Sequence, residues 1–438
     1  MSDDAKLSIK ILDKFAEAIT SGLDTKPEAC RFWLIKAFQA KRLQSQLLTD
    51  KSLYKSSNEA VRLASEAVAD ALEDPSNSVL TSIFMPQEIF LAMGIKPLIA
   101  EALSDYVCGA RCDNEFVQQA ENKGVPETYC SYHKILLGSA LSGVYESPKL
   151  IANCSVACDA NNITFKHLAS TWNTPHAYID VPYFVDEDAI DYVAKQLIQL
   201  ASTTEDIFNR KLDEDLLKEY VSRSIKTQKN LDLALQVKAN KDMKTNMCDQ
   251  MMLVMPTHLS LGSSEALNLS QLMVDEYTHA KPFTGLNIVW VHAAPYACVA
   301  LQKAIDENPD VQICACDMIY DTIQPDGFIY DESQPFHAMA ERLCKNSFNG
   351  PATRRIERIK YLANTTNADG VVVFCHWGCK ETMGASQIIK QELEAAGYPT
   401  LVLDGDGCHR NNMPEGQTAT RIDAYLEMLK NKTGDTDE

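Results

Sequence analysis

Cationic charge is scarce in this chain of 438 residues, where 41 lysines and arginines face 60 acidic residues for a formal net charge of −19. Gripping nucleic acid or an anionic membrane takes clustered cations against phosphate, so the deficit excludes both as general partners. Long apolar runs are missing as well. No stretch approaches the roughly 18–20 residues that cross a bilayer, and the opening MSDDAKLSIKILDKF has no apolar signal core and no small-residue cleavage site. The expectation is a cytoplasmic chain with no membrane partner. Neither G-x-x-x-x-G-K-[ST] nor G-x-G-x-x-G occurs, so any ATP dependence has to come through a partner. Cysteine occurs fourteen times, too sparsely for a disulfide-stapled miniprotein. Zinc-ribbon Cys-x-x-Cys pairs and the bacterial ferredoxin run are both absent.

What is present reads as a large globular protein, 45% hydrophobic and 23% charged. Residues 1–79 read as a helical region, with apolar positions spaced by three and four (Ile9, Ile11, Leu12, Phe15, Ala16, Ile19) until DPSNS breaks the run. A first α/β lobe follows over 80–205, carrying strand-like KLIANC and HAYIDVP around helix-like NNITFKHLASTW. Residues 206–284 read as a helical connector. The second lobe, 285–438, has the clearest rhythm: LNIVWVH, VQICACDMIY, GVVVFCH and TLVLDGD alternate with amphipathic helical segments such as PYACVALQKAIDEN. Short apolar strands between helices predict parallel sheets covered on both faces, hence an α/β fold of doubly wound lobes.

The cysteines are unevenly placed. Cys154 and Cys158 lie four apart, as do Cys375 and Cys379, and Cys108 and Cys112, while Cys130 and Cys408 stand alone. Cys375, Cys379 and Cys408 fall at or just past the carboxyl ends of predicted strands, where open parallel sheets bind ligands. Convergent thiolates there select zinc, copper(I) or iron–sulfur. Cys30, Cys298, Cys314, Cys316 and Cys344 sit inside helix or strand patterns and read as packing residues. His133, His376 and His409 each flank a cysteine, either to donate to a metal-bound sulfur and move protons or as plain loop histidines. Arg354 and Arg355 read as a solvated helix face, and DGDG at 404–407 as a strand-to-helix turn.

Longer motifs carry more. FMPQEIFLAMGIKP (84–97), YCSYHKILLGSALSG (129–143), CDANN with IDVP (158–182), ADGVVVFCHWGCKETMG (368–384) and LVLDGDGCHRNNMPEGQTATRIDAYLEML (401–429) run in consistent order from about 80 to 430. In these the chain resembles the family of 2-hydroxyacyl-CoA dehydratase component D and benzoyl-CoA reductase. The resemblance implies two Rossmann-like lobes with an iron–sulfur cluster between them. Its ligands would be Cys130, Cys158 and Cys379, with a fourth iron position left open. It also implies a separate ATP-hydrolysing iron–sulfur activator that injects a low-potential electron. Cys375, Cys108, Cys408 and Cys154 are thiols beyond those three. They suggest the branch of the family with a double-cubane 8Fe-9S cluster in a homodimer that reduces a small molecule, with His133 and His376 tuning potential and supplying protons. The alternatives are a dehydratase subunit with a single 4Fe-4S cluster, acting on an acyl-CoA substrate through a ketyl radical, and an electron-storage protein.

Overall fold

The computed structural model describes residues 3–47, 50–323 and 331–434. Four parallel strands form a first sheet: β1 Ser78–Thr81, β2 Lys96–Ile99, β3 Leu150–Cys154 and β4 His176–Ile179, in the order β2-β1-β3-β4. Four more form a second: β5 Leu286–Val291, β6 Val311–Cys316, β7 Gly370–His376 and β8 Thr400–Gly405, in the order β6-β5-β7-β8. In each sheet the chain starts in the middle, winds to one side, then crosses back and winds to the other. The fold is therefore α/β, with two Rossmann-like doubly wound lobes of parallel strands. Their central strands are wholly buried, as continuous apolar runs such as GVVVF require.

The helices Asp3–Thr20, Pro27–Leu47 and Lys55–Glu73 form the N-terminal layer, which buries Leu34, Phe38, Val68 and Leu72. Four helices between Glu187 and Thr278 fill the connecting region. Among the described residues, no helix is long and apolar enough to cross a membrane.

Three local readings need correction. The first lobe opens at Ser78, inside the stretch read as helical, because Pro75–Asn77 turns the chain straight into β1. VQICACDMIY keeps its strand only to Cys316, since Asp317 turns away to bind the backbone N–H of His292. Arg355, read as solvated, is fully buried, with Nε 2.8 Å from Asp317 and Nη1 2.7 Å from Glu381.

The lobes are tied by buried polar bridges. Glu88 of the first receives Arg342 at 2.5 and 2.8 Å, Ser131 donates to Asp406 at 2.5 Å, and Arg410 grips Asp113. Such contacts hold the carboxyl ends of β1, β3, β5 and β7 toward one another.

Candidate functional site

A cavity of about 80 Å³ lies where those strand ends meet, walled largely by apolar side chains such as Phe84, Met251 and Phe348. Cys130, Cys158 and Cys379 line it, together with His133, His292 and His376. The three cysteines share one local geometry, because each is the N-cap of a helix: Ser131–Leu141, Asp159–Trp172 and Lys380–Ala395. Cys158 Sγ accepts from the Asn161 N–H at 3.3 Å, whereas Cys130 and Cys379 make no cap hydrogen bond and feel the amides of His133 and Thr382 only as nearby dipoles that favour the thiolate. Three helix N-termini thus aim partial positive charge at one cavity, which favours anionic sulfur.

Backbone strain clusters at the same place. Ala157 (φ +63°), His292 (φ +79°) and Gly378 (φ +84°) are left-handed, and two of them immediately precede a cysteine of the set. For the non-glycine pair this costs of order 1–3 kcal/mol each, which surrounding structure has to enforce. At Gly378 the glycine is obligatory for a second reason. A Cβ there would lie 2.5 Å from the backbone nitrogen of Cys130. The Gly-Cys turn of the second lobe packs directly on the Cys130 cap of the first.

Burial pushes all three thiols upward. The charge of Cys379 adds to the effect at Cys130, that of Cys130 at Cys158, and Glu381 at Cys379. Ionising the three together in so dry a space calls for a compensating cation. Among the described residues, no group of three His, Cys, Asp or Glu is arranged to hold a single metal ion, so the thiols ring a space rather than a point.

His376 has a defined tautomer. The Gly407 N–H donates to its Nδ1 at 2.9 Å, which leaves Nε2 protonated and 3.2 Å from Cys130 Sγ. Burial lowers its pKa, so the ring is a neutral donor to sulfur. His133 places Nε2 3.8 Å from Cys158 Sγ, and burial, with His376 nearby, drops its pKa to about 3.

The other four predicted cysteines do not line the cavity. Cys375 precedes His376 on β7 and therefore points to the opposite face, against Ser386. Cys154 is buried at the end of β3, 3.6 Å from Ser82 Oγ. Cys108 and Cys408 meet each other across the lobe boundary, where Cys408 also donates to the Ser104 carbonyl at 3.4 Å. Cys108 ends its helix, so the dipole there opposes a thiolate. His409 turns away toward Asn114. Sequence reasoning missed His292, Glu101 and the Asp317–Arg355–Glu381 network. A usable signal was present for His292, which ends LNIVWVH just as His376 ends GVVVFCH.

The model of the family described as 2-hydroxyglutaryl-CoA dehydratase, D-component, matches residues 82–429. The alpha subunit of (R)-phenyllactyl-CoA dehydratase from Clostridium sporogenes is 23% identical over 365 residues, covering 78% of this chain and 87% of that protein. Lactoyl-CoA dehydratase subunit alpha from Anaerotignum propionicum is 22% identical over 383 residues, 79% and 89% of the two chains. Subunit alpha of (R)-2-hydroxyglutaryl-CoA dehydratase from Acidaminococcus fermentans is 22% identical over 297 residues, 65% and 61%. The match runs through both lobes and every motif around the cavity, and on it this chain belongs to the 2-hydroxyglutaryl-CoA dehydratase D-component family.

Proposed function

We propose that this chain is the cluster-holding subunit of a 2-hydroxyacyl-CoA dehydratase, with one [4Fe–4S] cubane on Cys130, Cys158 and Cys379. The observation that carries the reading is the meeting of three cysteines, distant in sequence, at three helix N-termini around one cavity. The donor set suits the group, since soft thiolates select iron–sulfur and three buried, mutually repelling sulfurs need its positive charge. Cys375, Cys108, Cys408 and Cys154 stand off this cavity, which favours one cubane over two.

When bound, the cluster supplies a low-potential electron and a Lewis-acidic iron. Everything else falls to the chain. His376 donates from Nε2 to the Cys130 sulfur, which tunes potential through that ligand, and His133 holds its Nε2 3.8 Å from the Cys158 sulfur. The apolar wall excludes water that would otherwise consume the electron. The electron would come from a separate ATP-hydrolysing iron–sulfur activator, in keeping with the missing phosphate loop. Family relatives named as alpha subunits support pairing with an unlike subunit.

A second reading, a homodimeric reductase of a small molecule, is favoured by the cavity itself, far below the roughly 300 Å³ at which pockets for drug-sized ligands begin. Anaerobic analysis of iron and acid-labile sulfide tests both readings. One cubane gives about four irons per chain and lactoyl-CoA dehydration that requires activator and ATP. About eight irons, reduced in Cys375→Ser, with turnover of a small substrate and no acyl-CoA, would replace the first reading by the second. Full iron in Cys379→Ser would end both.

A further inference from the structure

Of the three histidines on the cavity, two are already engaged with sulfur. His133 and His376 are each only 1% exposed, with Nε2 turned toward Cys158 and Cys130. His292 is different. It is partly exposed and lines the cavity, its ring bonds none of the cavity thiols among the described residues, and its buried Nδ1 is left without a partner there, as is that of His133. We infer that His292 is the residue that hydrogen-bonds the ligand entering this cavity, which on the dehydratase reading is an oxygen of the 2-hydroxyacyl thioester.

The backbone around it is built to aim this ring. An L-residue keeps φ near +79° only when its surroundings enforce it. Here the His292 N–H donates to Asp317 Oδ1 at 2.6 Å, and the other oxygen of Asp317 receives Arg355 Nε at 2.8 Å. The same guanidinium reaches Glu381 at 2.7 Å and Thr382 at 3.0 Å, in the first turn of the helix that Cys379 caps. It also lies 4.1 Å over the ring of Phe348, another residue of the cavity wall. One buried ion network therefore fixes the His292 backbone relative to the helix that Cys379 caps, and a strained residue so held is pre-organised for a partner outside the protein. Burial, reinforced by Arg355, keeps the ring neutral, so it offers one N–H donor and one acceptor. A carbonyl, a hydroxyl or another small acceptor matches that donor.

The inference rests on the dehydratase reading for the identity of the ligand, and the test separates the two. Anaerobically reconstituted wild type and His292→Asn are titrated with lactoyl-CoA and, separately, with cyanide, following the electron paramagnetic resonance of the reduced cluster. Asparagine tolerates the left-handed backbone and removes the ring. The expected result is unchanged iron and sulfide content with about tenfold weaker response to the ligand, the equivalent of one ordinary hydrogen bond. Turnover should show the loss in KM more than in kcat. Should His292→Asn lose iron, His292→Gln replaces it in the titrations, and loss of iron in both makes the residue structural and overturns the inference. Unaltered responses to both probes overturn it too. A wild type answering cyanide alone rejects the dehydratase reading and leaves the cyanide titrations to decide His292. A wild type answering neither overturns the inference outright.

Discussion

The two lobes wind identically and do different work. Both sheets place their strands in the order 2-1-3-4, and both present a topological switch point to the same cavity. The first lobe makes its sheet from strands of four or five residues and contributes Cys130, Cys158 and His133, all on helices or loops. The second uses strands of six or seven residues and contributes Cys379 together with His376, the last residue of β7, and His292, the first residue past β5. Their edges differ as well. β4 leaves Tyr178 44% exposed, whereas β8 lies half-buried. The contrast teaches that the shorter-stranded lobe brings two cysteines and one histidine to the cavity on helix caps and their first turns, while the other brings one cysteine and two histidines from its strand ends, with the Asp317–Arg355–Glu381 network behind them.

The sharpest way to break this division is by thiol. On the single-cubane proposal, Cys379→Ser, Cys130→Ser and Cys158→Ser should each lose iron and bring activity to background. Cys375→Ser, Cys154→Ser, Cys108→Ser and Cys408→Ser should keep about four irons, by metal analysis of anaerobic protein. Equal loss in both sets would erase the distinction between cavity and packing cysteines. Arg355→Met comes next, since it strands Asp317 and Glu381 without their buried cation. It should cost about 3–5 kcal/mol in denaturant unfolding, and the second lobe should suffer first.

Glycines at left-handed positions sharpen the comparison further. Gly378→Ala drives a Cβ into the Cys130 backbone and should cost about 2–4 kcal/mol, with reduced cluster content. Gly94→Ala in the first lobe, at φ +67° with only Arg210 Nη1 nearby at 3.9 Å, should cost about 1 kcal/mol and leave the cluster alone. The smallest effect is a pH dependence at the connector. Burial lowers the pKa of His258, but Asp321 at 3.1 Å outweighs it, so the folded value lies above the ordinary 6.5. The stabilisation is then complete below pH 6.5 and lost as pH rises through the folded value. Unfolding free energies measured from pH 6 to 8 should fall in wild type and lose that component in His258→Gln.

The lobes also differ in how plainly they could be read. The strands LNIVWV, VQICAC, GVVVFCH and TLVLDG are long, rich in β-branched residues and bounded by turns, so their periodicity announces them. SVLT and KPLI are four residues each and carry no such signal. They become strands because β1 has β2 and β3 to pair with on its two sides. Arg355 misled for a related reason: on a helix of high polarity it looks solvated, and only Asp317 and Glu381, far away in sequence, make its burial tolerable.

Local pattern and motif order determined the α/β class, the location of six of the eight strands, and the candidacy of Cys130, Cys158 and Cys379, because periodicity and motifs are written along the chain. Which of seven candidate cysteines share one space was decided only in three dimensions. Strand alternation turns Cys375 away from its neighbour His376, and helix direction sets Cys108 at a negative end while its three counterparts cap positive ones. The partnership of His292 with the cavity belongs to the same category. It depends on an aspartate 25 residues on and an arginine 38 beyond that, brought together by the crossing of the chain between β5, β6 and β7.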